Sequence, residues 1–404
     1  MIKFTLLFLL CFPFSSFAQY TGTASVTQGL ATATTGNLYT CPGGRVAKLG
    51  TIAATDNTMW TVPAAVNFTN TAFPFASNLH NTCTGAPFTN AAAALAALDG
   101  SDIVQVDAEG EVITAYIFAD NYFEMYINGV AVGKDNVPYT QFNSNIVRFK
   151  VKRPFTIALL LVDWEENLGV GSEVSGPAAY HDGDGGMVAV FADNNNDIVA
   201  ITDHNWKAQT FYTAPITDLG CATENGSSRF SGNCSTQDSN NGTGYYGLHW
   251  ARPADWTTAA FNDNNWPSAT EYTNAVIGVN NKPAYTNFTN IFDDPANDAA
   301  FIWSTNVILD NEVIVRHTVQ AASNIPDNKS PIEGRKVYPN PFHAFLYISP
   351  ATTDTHYELM DAMGRVVYTG KKPAMADFSG LPNGIYYLKM TDEAGTMVKV
   401  MLHE

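Results

Sequence analysis

The sequence predicts an all-β protein, with a large β-sandwich body followed by a small second β-sandwich at the C-terminus. Three observations carry this prediction. Runs of β-branched and aromatic residues recur between clusters of Asn, Asp, Gly and Pro; helical character is confined to one short stretch; and the segment from Val337 onward alternates apolar and polar residues between turn signals.

Taken in order, the chain opens with Lys3, an apolar run from Phe4 to Phe14, and Ser16-Phe17-Ala18 before Gln19. This is the pattern of a secretory signal peptide over 1–18. Leu10 stands where a lipoprotein signal requires a small residue, which disfavours lipidation of Cys11. Nothing after Ala18 offers the roughly 18 consecutive apolar residues of a membrane-spanning helix. The body is expected over 19–320, with 101–320 as its core and 19–100 as either a separate module or an early sheet of the same sandwich.

Within the body, the Ala-rich run Asn90 to Leu98, stopped by Asp99-Gly100, predicts one packed helix. Strands are predicted at Val112–Phe118, Tyr122–Ile127, Ile146–Val151 and Phe155–Val162. In the second of these, alternation places Phe123, Met125 and Ile127 on one face and Tyr122, Glu124 and Tyr126 on the other. Asn128-Gly129 predicts a two-residue type I′ hairpin, because both central positions need positive φ. A polar, Pro-containing linker is expected over 321–336 and a terminal domain over 337–404. The terminal strands are expected at Tyr357–Met360, Met363–Tyr368, Leu381–Met390 and Met397–Met401, with Gly364 and Pro382-Asn383-Gly384 as turns.

The terminal segment, opening Val337-Tyr338-Pro339-Asn340-Pro341-Phe342 and closing Met397-Val398-Lys399-Val400-Met401, resembles the C-terminal sorting domain of type IX secretion cargo (the Por secretion tail). That resemblance implies a small Ig-like β-sandwich recognised by outer-membrane secretion machinery. It also implies a secreted or cell-surface location. In the body, Asp120 to Gly133 resembles the signature hairpin of galactose-binding-like jelly rolls. Asp255-Trp256, Phe261 to Ala269 and Phe301-Ile302-Trp303-Ser304 resemble the tryptophan element and following strand of the same modules, and Val162 to Gly169 with Asp182-Gly183-Asp184-Gly185-Gly186 resembles pieces of uncharacterised secreted bacterial proteins. In the familiar modules the tryptophan element precedes the hairpin; here it follows by more than a hundred residues.

Four cysteines remain beyond the leader: Cys41, Cys83, Cys221 and Cys234. An even count in an exported chain favours disulfides over metal or catalytic thiols. Three connectivities are open, and the favoured one pairs Cys41 with Cys83 and Cys221 with Cys234. The net charge of −17 resides mainly in the body, and no basic stripe is present. Nucleic acid and anionic membranes are therefore disfavoured partners.

Three constellations carry candidate chemistry. Asp163 and Glu165 share a strand face, and paired carboxylates are the groups glycoside hydrolysis uses; solvated acids at a strand end beside a core Trp164 are the competing reading. Asp182 and Asp184 in Tyr180-His181-Asp182-Gly183-Asp184-Gly185-Gly186 have the spacing of a calcium-binding loop, with Asp193 and Asp197 as further candidates; an Asx turn accounts for the same letters. Tyr245, Tyr246, His249 and Trp250 follow a Gly/Asn/Ser-rich loop and are the candidate ligand-binding aromatics. Of Trp164, Trp206, Trp250, Trp256, Trp266 and Trp303, at least four are expected in the core.

No nucleophile elbow, phosphate-cradling glycine loop or His-Glu-x-x-His helix is present. The leading expectation is an exported, non-catalytic binding protein for an extracellular glycan. A polysaccharide hydrolase and a structural or adhesive surface protein are the alternatives.

Overall fold

The computed structural model describes residues 20–42, 44–138, 142–164, 168–171, 185–237, 242–321, 336–349, 355–371, 373–392 and 395–404. Residues 1–19, Glu165, Asp182, Asp184 and residues 322–335 lie outside them. The chain divides into two compact units between Ala321 and Ala322.

The first unit is a sandwich of two large sheets. One has seven strands in the order Ser25–Gln28, Tyr246–His249, Lys207–Ile216, Asp310–Val319, Phe155–Val162, Tyr122–Ile127 and Val130–Lys134. The other runs Thr270–Tyr272, Phe301–Trp303, Gly186–Ala192, Glu111–Asp120, Ser144–Val151 and Ser77–His80. Ile198–Ile201 and Ile103–Gln105 pair as side branches of this eight-stranded sheet. Ser25–Gln28 joins one sheet and Ser77–His80 the other, so strands from before residue 101 are built into both sheets. A small sheet of Thr32–Ala33, Gly50–Ala53 and Met59–Val62 is part of the same unit.

Alternation along Tyr122–Ile127 sorts its side chains as predicted. Phe123, Met125 and Ile127 enter the core between the sheets together with Ile157, Leu159, Leu161, Val313, Ile113, Ile117 and Val188. Tyr122 and Tyr126 point the opposite way, and that face is also covered: Trp164, Phe211, Leu248, Trp250, Trp256 and Trp266 form a second apolar cluster over it. This double burial explains why Phe155–Val162 is buried at every position and shows no polar alternation. All six tryptophans named above are buried.

Local signals are realised closely. Asn90 Oδ1 accepts from the Ala93 amide at 2.9 Å and caps the helix Ala91–Ala96. Asn128 and Gly129 adopt φ of 50° and 87°, closing the hairpin between Ile127 and Val130. The favoured disulfides form, Cys41 to Cys83 with Cα atoms 5.4 Å apart and Cys221 to Cys234 at 4.9 Å. The expectation of a single helix is corrected: Asn274–Ile277, Pro283–Thr286 and Thr289–Phe292 are also helical. Each is four residues long, too short to show a repeating apolar period.

The second unit pairs Lys336–Tyr338 with Tyr347–Ser349. Its four-stranded antiparallel sheet runs Val366–Gly370, His356–Asp361, Gly384–Asp392 and Gly395–His403. Phe342, Leu346, Tyr357, Leu359, Phe378, Leu388 and Met390 form its core. The strand expected from Met363 begins instead at Val366, because Gly364 takes a φ of 78° in the preceding turn and leaves Met363 exposed.

Candidate functional site

An open recess of about 440 Å³ lies at one edge of the eight-stranded sheet, lined by Tyr272 to Ala275, Asn280, Asp293 and Asp298 to Phe301. Strand pairing sets its floor, since Tyr272 stands opposite Phe301. The first short helix gives Asn274 and Ala275 to its wall, and Asp293 follows the end of the third. Thr273 Oγ1 accepts from the Val276 amide and Gly278 ends the first helix at a φ of 76°. Pro283 opens the second at the helix's first position.

These helices are held by aromatic packing that their own length could not replace. Tyr285, Phe288 and Phe292 are buried in the inter-sheet core, with the Tyr285 ring 5.3 Å from Phe301 and 5.4 Å from Phe292. At the recess wall the Tyr285 hydroxyl donates to Asp293 Oδ1 and lies 3.2 Å from Asn274 Oδ1. Asn274 Nδ2 donates to the same carboxylate at 3.3 and 3.4 Å. Burial, and then the neighbouring Asp293, push the Tyr285 hydroxyl far above its ordinary value, so it keeps its proton and remains a donor. Asp293 is thereby oriented from behind. Among the described residues, the lining contains no Lys, Arg or His. Sequence reasoning missed this region, because Tyr285, Phe288 and Phe292 are spread over two four-residue helices and the residues between them, and no window sustains a helical period.

The aromatics singled out in the sequence sit elsewhere and are mostly packed. Tyr245, His249 and Trp250 are buried, and Tyr246 is half-buried. His249 lies between Trp60 and Tyr212, with ring centroids at 5.2 and 4.3 Å, and its Nε2 is 2.9 Å from Thr27 Oγ1. Burial lowers its pKa to about 3, so the ring is neutral. Trp250 Nε1 donates to Glu224 at 3.0 Å, and the Arg229 guanidinium fills the space between Trp250 and Phe211, 4.7 and 4.8 Å from their rings. The rings expected to face solvent are therefore enclosed, because the covering segments turn that end of the seven-stranded sheet into interior.

Asp163 is buried, its amide donating to Asn311 O at 2.9 Å, beside Trp164, whose Nε1 donates to Lys48 O at 2.8 Å. Its partner in the hydrolase reading, Glu165, is outside the described residues, as are Asp182 and Asp184. Asp193 serves a turn: its Oδ1 accepts from the Asn195 and Asp197 amides, and its Oδ2 pairs with Arg153 at 3.3 Å. Among the described residues, no group of three or more His, Cys, Asp or Glu side chains is arranged to hold a metal ion.

A buried polar network also escaped sequence reading. Glu124, fully enclosed, accepts from Asn67 Nδ2 at 2.9 Å, Tyr126 OH at 3.0 Å and Tyr122 OH at 3.1 Å, as well as from the Asn67 amide. Lys134 donates to the carbonyls of Asn67, Phe68 and Asn70 at 2.7, 2.9 and 2.8 Å. Together they fix the loop that covers the outer face.

Comparison with known proteins bears on the second unit. Residues 336–403 match the family described as a secretion system C-terminal sorting domain. No curated protein matches the chain. Among solved structures, the chain is similar to PorZ, a surface component of the type IX secretion system of Porphyromonas gingivalis, at 17% identity, with 24% of this chain and 14% of that one covered and a TM-score of 0.17. A Pleurotus ostreatus lectin aligns at 12% identity over 94% of this chain and 85% of its own, with a TM-score of 0.21. A Faecalibacterium prausnitzii β-glucuronidase aligns at 11% identity over 95% and 45%, with a TM-score of 0.15. Similarity at these levels assigns nothing to the body. Among the described residues no helix is long and apolar enough to cross a membrane. The C-terminal unit of this chain is a type IX secretion sorting domain, and the protein is exported to the extracellular space or the cell surface.

Proposed function

We propose that the protein is an exported glycan-binding protein that acts without catalysis. The observation that carries this reading is the recess at the edge of the eight-stranded sheet, a concave site of ligand-binding size. Its Asn and Asp side chains present amide donors and carboxylate acceptors, one of them fixed by Tyr285 and Asn274. Export to the cell exterior places such a site where polysaccharides are met. Of the four aromatics proposed from the sequence, Tyr246 retains part of its surface, and Tyr246→Ala tests that strand as an additional contact region.

The deciding experiment is retention of the full exported chain on a glycan array and on insoluble polysaccharides, with reducing-end release measured in the same wells. Retention without release is the expected result. Release would establish the hydrolase alternative, and neither retention nor release would favour a structural role. Calcium at Asp182 and Asp184 is a separate proposal, tested by a higher melting temperature in calcium than in chelator.

A further inference from the structure

Resting on the glycan-binding reading, we infer that the recess takes an uncharged, hydroxyl-rich glycan segment and rejects segments carrying uronate or sulfate groups. The lining holds Asp293 and Asp298, the amides of Asn274 and Asn280, and Thr273, with no cationic side chain among the described residues. Ionised carboxylates only accept hydrogen bonds, so a ligand that satisfies them must donate. Sugar hydroxyls donate and accept; uronate and sulfate oxygens only accept, and they would face like charge with nothing to neutralise it.

Two features make the lining selective. Asp293 is locked by Tyr285 and Asn274, so it cannot swing away from an anionic ligand without breaking part-buried hydrogen bonds. Phe301 is buried beneath the recess, and the Tyr272 hydroxyl is committed to Ser304 O at 2.8 Å. Hydrogen bonds to the ligand's hydroxyls therefore carry the recognition, beside the half-buried Tyr272 ring. Asp298, exposed on the rim, is the residue whose charge can be changed without disturbing the core.

The test measures retention of the full exported chain on a panel of neutral, amine-bearing, uronate and sulfated polysaccharides at about 0.05 M and about 0.5 M salt, which brackets strong and weak screening. Retention on a neutral polymer, unchanged by salt, is expected, with rejection of polyuronate and sulfated polymers at both salt levels. Asp298→Asn should weaken neutral-polymer binding by about tenfold, the scale of a hydrogen bond to a charged group. Asp298→Lys should lose the neutral polymer and gain polyuronate, while Glu109→Gln, at an exposed ion pair with Lys152, should change neither.

Polyuronate or sulfated-polymer retention by the unmodified chain at high salt would overturn this specificity and leave glycan binding standing. Retention only of the amine-bearing polymer, abolished by salt, would overturn it as well. Neutral-polymer binding unaffected by either Asp298 variant would remove the ligand from the recess. Retention on no polymer of any charge would overturn the glycan-binding reading and this inference with it.

Discussion

Glu224 and Arg229 face each other across the hairpin formed by Thr223–Asn225 and Ser228–Phe230, and between them they hold the Trp250 indole. Glu224 also accepts from the Thr23 amide and hydroxyl at 2.8 and 2.9 Å and from the Tyr20 hydroxyl, so the hairpin clamps the start of the described chain. Although burial opposes its ionisation, these donors hold the Glu224 carboxyl below its ordinary range. The Cys221–Cys234 bridge closes the loop containing this hairpin.

Removing that bridge should loosen the clamp. A Cys221→Ser/Cys234→Ser variant is expected to lose about 3 kcal/mol of body stability, the chain-entropy value for a loop of this size. Urea unfolding followed by tryptophan fluorescence measures it. All seven tryptophans lie at or before position 303, so the signal reports the body alone. An unchanged midpoint would show that the hairpin is held by Glu224 and Arg229 without the bridge.

His249 gives the body a defined pH response. Its folded pKa of about 3 lies below the unfolded value, so folding requires the neutral ring. That contribution to stability is complete above about pH 6.5 and is lost as pH falls towards 3, at about 1.4 kcal/mol per unit. Asp135 and Glu312 act oppositely: burial raises each to about 7, so their contributions are present at low pH and fade as pH rises through 7. The clean observable is therefore a difference. The stability of the parent chain minus that of His249→Gln should decline steadily from pH 6.5 to 5, and a flat difference would remove His249 as the cause.

Lys134 should be the most sensitive charged residue of the covering layer. Lys134→Met leaves the carbonyls of Asn67, Phe68 and Asn70 without their donor in the interior. A loss of about 3 kcal/mol or more is expected in the same fluorescence assay. A cost below about 1 kcal/mol would mean that water replaces the ammonium.

The contrast between Lys134 and Met125 marks where the sequence was legible. Met125 belongs to an alternating run whose period alone assigns its face, and the Asn128-Gly129 turn fixes the register beside it. Glu124 and Lys134 carry charges that read as surface, and only tertiary partners far along the chain, at Asn67 to Asn70, make their burial tolerable. The recess was hidden for a different reason. Its wall depends on helices of four residues stabilised by packing against Phe118 and Phe301, an interaction that no local window contains. The tail was read from ordered motif pieces and needed no tertiary information.

Deleting residues 336–404 should abolish delivery outside the cell without unfolding the body, because the two units have separate cores. Cell fractionation with protease accessibility checks delivery, and the fluorescence midpoint checks folding. Surface exposure of the truncated chain would show that the tail is dispensable for export.

Tyr285 connects the fold to the proposed site, and Tyr285→Phe separates its two roles. The ring is retained, so packing against Phe118, Phe292 and Phe301 persists and stability should fall by only about 1 kcal/mol, the net worth of a hydrogen bond. The hydroxyl is lost, so Asp293 is left with only the longer hydrogen bonds from Asn274 and is held less firmly toward the recess. Glycan retention should weaken severalfold while the fluorescence midpoint barely moves. Tyr285→Leu, which also removes the ring contacts, should lower both. A purely structural tyrosine would make retention follow stability in the two variants alike, and a Tyr285→Phe chain that binds normally would show that Asp293 does not contact the ligand.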